Sequence, residues 1–406
     1  MMNKRKIIND PVFGFINIPN DFIFSLIEHP YLQRLTRIKQ LGFASLVYPG
    51  AQHTRFHHSL GAMYLMSEAI SQLRSKGNEI TEEEADAVLS CILLHDIGHG
   101  PFSHVLEFTL VNNVCHEQIS LMLMDRINQS LAGKLDKTIA IFKNEYPKKF
   151  LHQLVSGQLD MDRLDYLRRD SFFTGVTEGN IGSARIIKML NVKDDRLVIE
   201  EKGIYSTENF LMTRRLMYWQ VYLHKTTVAA EKMLTNTFNR ARFLIEQKVD
   251  LSIAPPLLYF LQNQLGLSDF IHKPEPLDNF ISLDDNDVWC ALKIWSNHPD
   301  KVLSVLSGGL VNRKLFKIEI KPEPFEDSIL KNKIQHYTNQ LGISESDAEF
   351  LISSDEISTN MYSEADDSIE ILFKNGETKD IAEASDMLNI QLLSKRVKKY
   401  YFCYLK

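Results

Sequence analysis

Residues 95–104 contain three histidines and one aspartate. His95 and Asp96 are adjacent, so they can offer one imidazole nitrogen and one carboxylate oxygen to the same ion. His99 lies one helical turn beyond His95, on the same side if the preceding helix continues. Metal-assisted hydrolysis needs such ligands together with nearby imidazoles that can still move protons. The stretch therefore predicts a metal-dependent hydrolytic site.

Two further segments contain residues that can complete a coordination sphere. In residues 50–61, His58 stands at the head of a predicted helix, from which its ring can reach inward. Residues 157–170 are dense in Asp and Arg, yet Leu, Met and Tyr recur there at helical spacing. Such a helix places carboxylates and guanidiniums near a stripe that faces the core, although a solvated surface face is the alternative.

The composition is that of an ordinary globular protein. The chain has 406 residues, of which 44% are hydrophobic and 24% charged, which is enough for a large core. The formal net charge of −6 argues against a protein that coats nucleic acid, and binding to nucleic acid is not otherwise indicated. No apolar run is long enough to span a bilayer, so we expect no membrane partner.

Two features indicate the compartment. Residues 1–6 are basic but lack the apolar stretch of a signal peptide. Cys91, Cys115, Cys290 and Cys403 form no Cys-x-x-Cys pair, which excludes a zinc ribbon, and such wide spacing suits a reducing environment. We therefore expect a cytoplasmic protein.

The first 245 residues are predicted to be mainly helical. Thr81 and Glu84 fit a capping box at the start of a helix that leads to His95. Ser59 is the candidate cap of the preceding helix, which is expected to end before Gly77. The spacing of apolar residues predicts helices over residues 21–41, 59–76, 81–95, 117–132, 150–169 and 206–248.

The pattern changes towards the C-terminus. A hairpin is expected at residues 194–205, and Pro255 and Pro256 mark a boundary or a helix start. Alternating apolar and charged residues predict strands at 316–321, 368–373 and 399–404, with a helix over 326–340. We predict a mainly α fold with three regions, namely a helical domain of residues 1–250, a helical connection of residues 251–310, and a small α+β region of residues 311–406 that serves packing, assembly or regulation.

The order of these motifs resembles a known enzyme family. His58, then His95-Asp96, then Asp162 match the H…HD…D signature of the HD-domain phosphohydrolases. Seven further stretches resemble its deoxynucleoside triphosphate triphosphohydrolase branch, namely NDPVFG at 9–14, QRL at 33–35, IKQLG at 38–42, YPGA at 48–51, HGPFSH at 99–104, HEQ at 116–118 and DYLRRD at 165–170. The likeness is strong over residues 8–245 and weak beyond them.

The resemblance implies a helical-bundle core and a metal held by four residues, which are His58, His95, Asp96 and Asp162. Two imidazoles and two carboxylates suit Fe, Mn, Ni or Zn, and Mg or Mn can accompany the nucleotide. Such a ligand set leaves coordination positions open for water and a phosphate oxygen.

The resemblance also assigns the remaining histidines. His104 and Glu107 would form a proton-donating dyad for the leaving oxygen, and the i, i+3 spacing places both on one helix face. The corresponding carboxylate in the animal branch is an Asp. His99 and His116 are expected to bind phosphate or to position water.

Substrate contacts follow from the same comparison. Arg55, Arg163, Arg214 and Lys225 supply the cations that a triphosphate needs. Four residues occupy the positions that shape the deoxyribose pocket, with Tyr166 on the same wall; they are Gln40, Leu41, Asp170 and Tyr222. A tight pocket of this kind leaves no room for a 2′-hydroxyl group.

The resemblance implies a dGTPase-like enzyme that hydrolyses dNTPs to deoxynucleoside and triphosphate, and that assembles as a homo-oligomer, either a dimer or a tetramer. Because HD folds host several chemistries, two alternatives stay open. One is a phosphohydrolase acting on nucleoside monophosphates or cyclic nucleotides. The other is a nucleotide-sensing protein without turnover.

Overall fold

Helices make up most of the chain, as predicted. The computed structural model describes residues 6–103, 105, 109–359, 368–386 and 397–406. The helices in these residues are α1 (Asp21–Ile27), α2 (Pro30–Arg34), α3 (Arg55–Ser75), α4 (Glu82–Leu94), α5 (His116–Ser130), α6 (Asp136–Phe142), α7 (Lys149–Gln153), α8 (Met161–Thr174), α9 (Ser183–Met189), α10 (Ile204–Met217), α11 (Lys225–Glu246), α12 (Pro255–Gln262), α13 (Leu267–His272), α14 (Glu275–Ile281), α15 (Asp285–Trp295), α16 (Lys301–Val311), α17 (Asp327–Leu341), α18 (Glu345–Ala348) and α19 (Ile381–Ala384). None of these described helices combines the length and apolar composition that a membrane crossing requires.

Short strands form four small sheets. The strands are β1 (Ile7–Asp10), β2 (Gly14–Asn17), β3 (Val111–Asn112), β4 (Leu190–Lys193), β5 (Arg196–Glu200), β6 (Leu265–Gly266), β7 (Lys317–Lys321), β8 (Ile352–Thr359), β9 (Glu370–Leu372), β10 (Thr378–Asp380) and β11 (Val397–Tyr404). Their order is β1-β2, β3-β6, β10-β9-β5-β4 and β7-β11-β8. Because β9 pairs in parallel with β5, the C-terminal part of the chain shares a sheet with the hairpin β4–β5. The division into three regions stays a prediction.

Several local expectations agree with the structure. The capping box is present, since the Thr81 N–H donates to Glu84 Oε2 (2.8 Å) and the Glu84 N–H donates to Thr81 Oγ1 (3.2 Å). The strands β7, β9 and β11 and the helices α12 and α17 form where the pattern predicts them. The hairpin expected at residues 194–205 forms earlier, at residues 190–200, with Asp194 and Asp195 in the left-handed conformation of its turn, and residues 201–205 are helical instead.

One expectation around the candidate site was wrong. Helix α3 begins at Arg55 rather than at Ser59, since the Thr54 N–H donates to Nδ1 of His57 (3.2 Å) at the helix start. Arg55 and His58 therefore both lie in its first turn. Helix α4 ends at Leu94, as predicted to within one residue, so the condition under which His99 would share a helix face with His95 is not met.

A close helix contact explains where α4 ends. The chain turns over residues 95–98, and the Gly98 N–H donates to Ser120 Oγ (2.9 Å). A Cβ atom on Gly98 would lie 2.1 Å from the carbonyl oxygen of His116. The turn thus needs a residue without a side chain where it passes α5.

Three helices predicted as continuous are interrupted. The segment 150–169 consists of α7 and α8, separated by a loop in which Asp160 accepts the Gly157 N–H (2.9 Å) and the Arg163 N–H (2.6 Å). The segment 21–41 is broken before Pro30, which stands at the first position of α2. The segment 206–248 is broken at His224, whose Nδ1 accepts the Thr226 N–H at the start of α11 (3.2 Å).

Helix α3 lies at the centre of the first 250 residues and packs against α4 and α8. At Gly61 a Cβ atom would lie 2.0 Å from Asp165 Oδ1 and 2.0 Å from Arg169 Nη2, both on α8. Asp165 and Arg169 are fully buried. The absence of a side chain at Gly61 is what lets the two helices approach around this buried ion pair.

We predict that Gly61→Ala lowers the free energy of unfolding by about 1–3 kcal/mol, because the new methyl group overlaps side chains that have no room to move. Urea denaturation followed by circular dichroism measures this change. The matched control is Gly308→Ala in α16, where the new Cβ would lie 3.7 Å from its nearest neighbour. That variant should be neutral or more stable by about 0.4–1 kcal/mol. Equal stability of the two variants would contradict the packing argument.

Candidate metal centre

Four predicted metal ligands converge from three helices. The potential ligand atoms of His58, His95 and Asp162 lie within 4.8 Å of one another. Asp162 Oδ1 is 3.0 Å from His58 Nε2 and 3.6 Å from His95 Nε2. Asp96 adds a second carboxylate, with Oδ1 3.4 Å from His95 Nε2 and Oδ2 3.9 Å from His58 Nε2. The structure thus brings together the whole set that the resemblance names.

The outer ring nitrogens of both histidines are already engaged. His58 Nδ1 is 2.7 Å from Asp165 Oδ2, and His95 Nδ1 is 2.6 Å from the carbonyl oxygen of Ile92. Metal-binding histidines are commonly held by such a second contact, which fixes the tautomer and the ring orientation. With Nδ1 engaged in each ring, Nε2 is the nitrogen that would bind a metal, after losing any proton that it carries. The donor set and its supports fit a divalent metal ion.

Asp165, which contacts His58 Nδ1, belongs to a buried ion network. Arg169 donates from Nε and Nη2 to Asp165 (2.9 and 3.0 Å) and from Nη1 to Asp10 (2.7 Å). Asp10 also accepts the N–H groups of Val12 and Phe13 (2.9 Å each) in the turn between β1 and β2. Asp10 and Arg169 lie within motifs that resemble the family, but no role was predicted for either of them from the sequence.

Neighbouring charges shift the pKa values of the candidate ligands His58 and Asp96. Burial lowers the pKa of His58, but the Asp162 and Asp165 carboxylates outweigh it and raise that pKa to about 10. Burial opposes ionisation of Asp96, yet the His99 and His95 imidazoles and the Arg55 guanidinium hold the pKa of its carboxyl well below the usual range. Both carboxylates of the ligand set are therefore ionised at neutral pH, as ligands must be.

A second group lies directly beside the first. The Arg55 guanidinium donates to Asp96 Oδ2 (2.5 Å) and to Ser103 Oγ (2.9 Å). His99 Nδ1 is 3.1 Å from Asp96 Oδ1, and its ring stacks on that of His116 at 3.8 Å. Burial and the nearby guanidinium hold the pKa of His99 well below its ordinary value. This arrangement places a cation and two imidazoles where a phosphate bound to the metal would extend.

Two of the candidate metal ligands, Asp96 and Asp162, line a cavity of about 520 Å³. Most of the predicted substrate contacts line it, together with residues of the second group. The predicted site residues on its wall are Gln40, Leu41, Arg55, Asp96, His99, His116, Asp162, Arg163, Tyr166, Asp170 and Tyr222. A cavity of this size accommodates a nucleotide-sized ligand.

Six predicted residues are not among those that line this wall, and two of them are the metal-ligand candidates His58 and His95. Arg214 is buried beside it and donates to Gln158 Oε1 (3.0 Å), while Lys225 is exposed at the start of α11. His104 and Glu107, the expected proton-donating dyad, lie outside the described residues. Their assignment stays a prediction.

Asp170, which lines the cavity, is held by two partners. The Tyr222 hydroxyl donates to Asp170 Oδ2 (2.7 Å), and His53 Nε2 is 2.7 Å from Asp170 Oδ1. The His53 ring stacks on Phe173 at 4.5 Å. No functional role was predicted for His53 from the sequence, because nothing in its spacing distinguishes it from the neighbouring His57.

Comparisons with known proteins agree with this geometry. A family model described as HD domain matches residues 55–167, and one described as HD associated region matches residues 181–251. A crystal structure of a phosphohydrolase from Bacteroides thetaiotaomicron has 66% sequence identity and a TM-score of 0.97, covering 99% of this chain and 100% of that one.

Two curated relatives extend the comparison. The uncharacterized protein YwfO of Bacillus subtilis is 31% identical over 396 residues, which cover 95% of this chain and 88% of the relative. The human deoxynucleoside triphosphate triphosphohydrolase SAMHD1 is 30% identical over 289 residues, which cover 60% of this chain. The match spans 46% of the human protein's length.

We predict that Asp165→Asn lowers the affinity for a divalent transition metal by about tenfold to hundredfold, because His58 loses the charge that orients and polarises its ring. Competition with a chromogenic chelator measures this affinity. The matched control is Asp170→Asn on the same helix, because the Asp170 carboxylate contacts His53 and Tyr222 rather than a candidate metal ligand. Unchanged affinity in Asp165→Asn would refute the supporting role of Asp165.

Proposed function

Because this chain belongs to the HD-domain phosphohydrolases, we propose that it hydrolyses deoxynucleoside triphosphates to a deoxynucleoside and triphosphate. One observation supports this most. A single cavity of about 520 Å³ is lined by the carboxylates Asp96 and Asp162, by the phosphate-binding candidates Arg55 and His99, and by a compact polar pocket around Asp170. The human relative's name supports the same substrate class.

The chain's own residues can bind and orient the triphosphate. When held by the four ligands, Fe, Mn, Ni or Zn supplies Lewis acidity that neutralises phosphate charge and favours ionisation of water. Arg55, His99 and His116 then contact the phosphate oxygens from one side, and Arg163 does so from α8. The Arg163 guanidinium is held towards the wall by a short ion pair with Asp160, which fixes its direction.

Hydrolysis at the α-phosphorus requires one proton transfer to the leaving group. A water oxygen forms the new bond to phosphorus, the bond to the 5′-oxygen breaks, and that oxygen takes up a proton. We assign the proton to His104, supported by Glu107, on the resemblance alone. His99 suits phosphate binding rather than this role, because its pKa is held well below the ordinary value and its imidazole is neutral.

Sugar selection follows from the other half of the cavity. Tyr222 and Asp170 are locked together by their hydrogen bond, and Leu41 and Gln40 close the pocket beside them. A 2′-hydroxyl group would meet the apolar side chain of Leu41 there, which disfavours ribonucleotides. Tyr166 stands edge-on to Tyr222 with ring centroids 6.1 Å apart and completes the wall.

A second candidate function is supported by one observation. Arg214 and Lys225, which a long polyphosphate would be expected to use, do not line the cavity. A substrate with a single phosphate, such as a nucleoside monophosphate, would not need them. We keep the triphosphate as the first proposal, and we expect the enzyme to act as a homo-oligomer.

We predict that metal-loaded protein converts each accepted dNTP to equal amounts of deoxynucleoside and inorganic triphosphate. Ion-pair chromatography resolves these products, and a panel of metals and of second nucleotides as activators should accompany it. Asp162→Ala serves as the inactive control, because it removes a ligand from the centre. Release of inorganic phosphate with a dNDP, or no turnover under any of these conditions, would overturn the proposal.

We predict that Arg214→Ala lowers kcat/KM for dNTPs by about tenfold or more, because the triphosphate proposal requires this guanidinium, which does not line the cavity in the structure, to contact the bound phosphates. The control is Arg215→Ala, the neighbouring basic residue on the same helix. Steady-state kinetics on dNTPs and deoxynucleoside monophosphates should be run in parallel. Unchanged dNTP kinetics together with hydrolysis of monophosphates would favour the second candidate function.

A further inference from the structure

Three polar groups on the cavity wall are left without hydrogen-bond partners among the described residues. Gln40 Oε1 and Thr227 Oγ1 are buried and have none there. The Glu231 carboxyl group lines the same cavity, and no hydrogen bond or ion pair engages it within the described part of the chain. All three groups can accept hydrogen bonds. Buried acceptors are costly when unpaired, so their arrangement points to a ligand that carries donors.

Two of these groups lie on a different element from the cations that line the cavity, since Arg55 begins α3 and Arg163 lies in α8, while Lys225 on α11 is exposed and does not line it. Thr227 and Glu231 are one helical turn apart on α11, so they share a face of that helix. Helix α11 packs on the 3₁₀ turn Gly42–Leu46, which directly follows Gln40 and Leu41. The metal ligands, in contrast, come from α3, the end of α4 and the start of α8.

The charge distribution along the cavity decides which end of a nucleotide lies near α11. Arg55 donates to the candidate ligand Asp96, and Arg163 directly follows Asp162 in the chain, so the phosphates are attracted to the part of the cavity beside those two carboxylates. The carboxylate of Glu231 repels phosphate. The end of the nucleotide that reaches α11 is therefore the base.

We propose that Glu231 recognises the base of the nucleotide and selects guanine. This inference rests on the proposed nucleotide-hydrolysing function of the same cavity. Guanine presents two adjacent donors, N1–H and the N2 amino group, and the two oxygens of a carboxylate can accept both. The pair is bidentate and charge-assisted, which makes it stronger than a neutral hydrogen bond.

The other bases fit this carboxylate less well. Adenine and cytosine place one amino donor next to a ring nitrogen that accepts, and thymine places one N–H between two carbonyl oxygens. Each of these acceptors would face the negative oxygens of Glu231, and such contacts disfavour binding.

The titration of Glu231 agrees with this role. Burial raises the pKa of its carboxyl group to about 7, although the Lys232 ammonium opposes the shift. The ionised form is therefore poorly compensated in the absence of a ligand, and two donors from guanine would stabilise it.

The test compares kcat/KM for dGTP, dITP, dATP, dCTP and dTTP in the wild type and in Glu231→Gln. dITP is the sharpest probe, since hypoxanthine keeps N1–H but lacks the N2 amino group. We expect the wild type to prefer dGTP over dITP by about tenfold or more. In Glu231→Gln we expect the dGTP value to fall by about tenfold to hundredfold, the dGTP-to-dITP ratio to approach one, and the dTTP value to change by less than about threefold.

The matched control is Glu246→Gln, at the exposed end of the same helix, which should leave every ratio unchanged. A uniform loss for all bases in Glu231→Gln, or an unaltered dGTP-to-dITP ratio, would overturn the inference while leaving the proposed hydrolysis intact. If no dNTP is hydrolysed by the wild type, calorimetric binding of dGTP and dITP decides. A preference for dGTP that is lost in Glu231→Gln supports base recognition without turnover, and equal or absent binding refutes it.

Discussion

The fully buried carboxylate of Asp165 is the interaction on which the arrangement of this protein depends. It contacts the ring of His58 on α3 and the guanidinium of Arg169 on its own helix. A buried charge is tolerated only when it is closely paired, so the helices must stay at the distance that these contacts require. Gly61 permits that distance because any side chain there would occupy the space of the ion pair.

Helix α8 connects this ion pair to the cavity, because the same helix also carries Asp162 and Asp170, which line it. Asp162, one turn before Asp165, faces the metal ligands, and Asp170, further along, reaches His53 and Tyr222. Because these carboxylates share one rigid helix, the metal ligands and the candidate sugar pocket keep a constant separation. The loop at Asp160 that starts the helix also directs Arg163, so cation placement follows from the same element.

The cavity wall carries polar groups of several kinds. Arg55 and Arg163 supply positive charge, His99 and His116 supply imidazoles, Tyr166 and Tyr222 supply aromatic rings, and α11 supplies the Glu231 carboxyl group. A triphosphate, a deoxyribose and a donor-bearing base present groups that are complementary to these. These complementary groups, rather than the fold, argue for a nucleotide ligand, since the HD fold hosts several chemistries.

The sequence by itself determined the residue types and order of the metal ligands, the capping box at Thr81, and the helical character of the first 250 residues, because short-range spacing encodes these features. The helix over residues 150–169 was wrongly predicted as continuous, since apolar periodicity does not register the loop around Asp160. Only the tertiary structure decided that His53 supports Asp170 and that Glu231 faces the cavity. Their partners lie far away in the chain, and contacts of that kind leave no local pattern in the sequence.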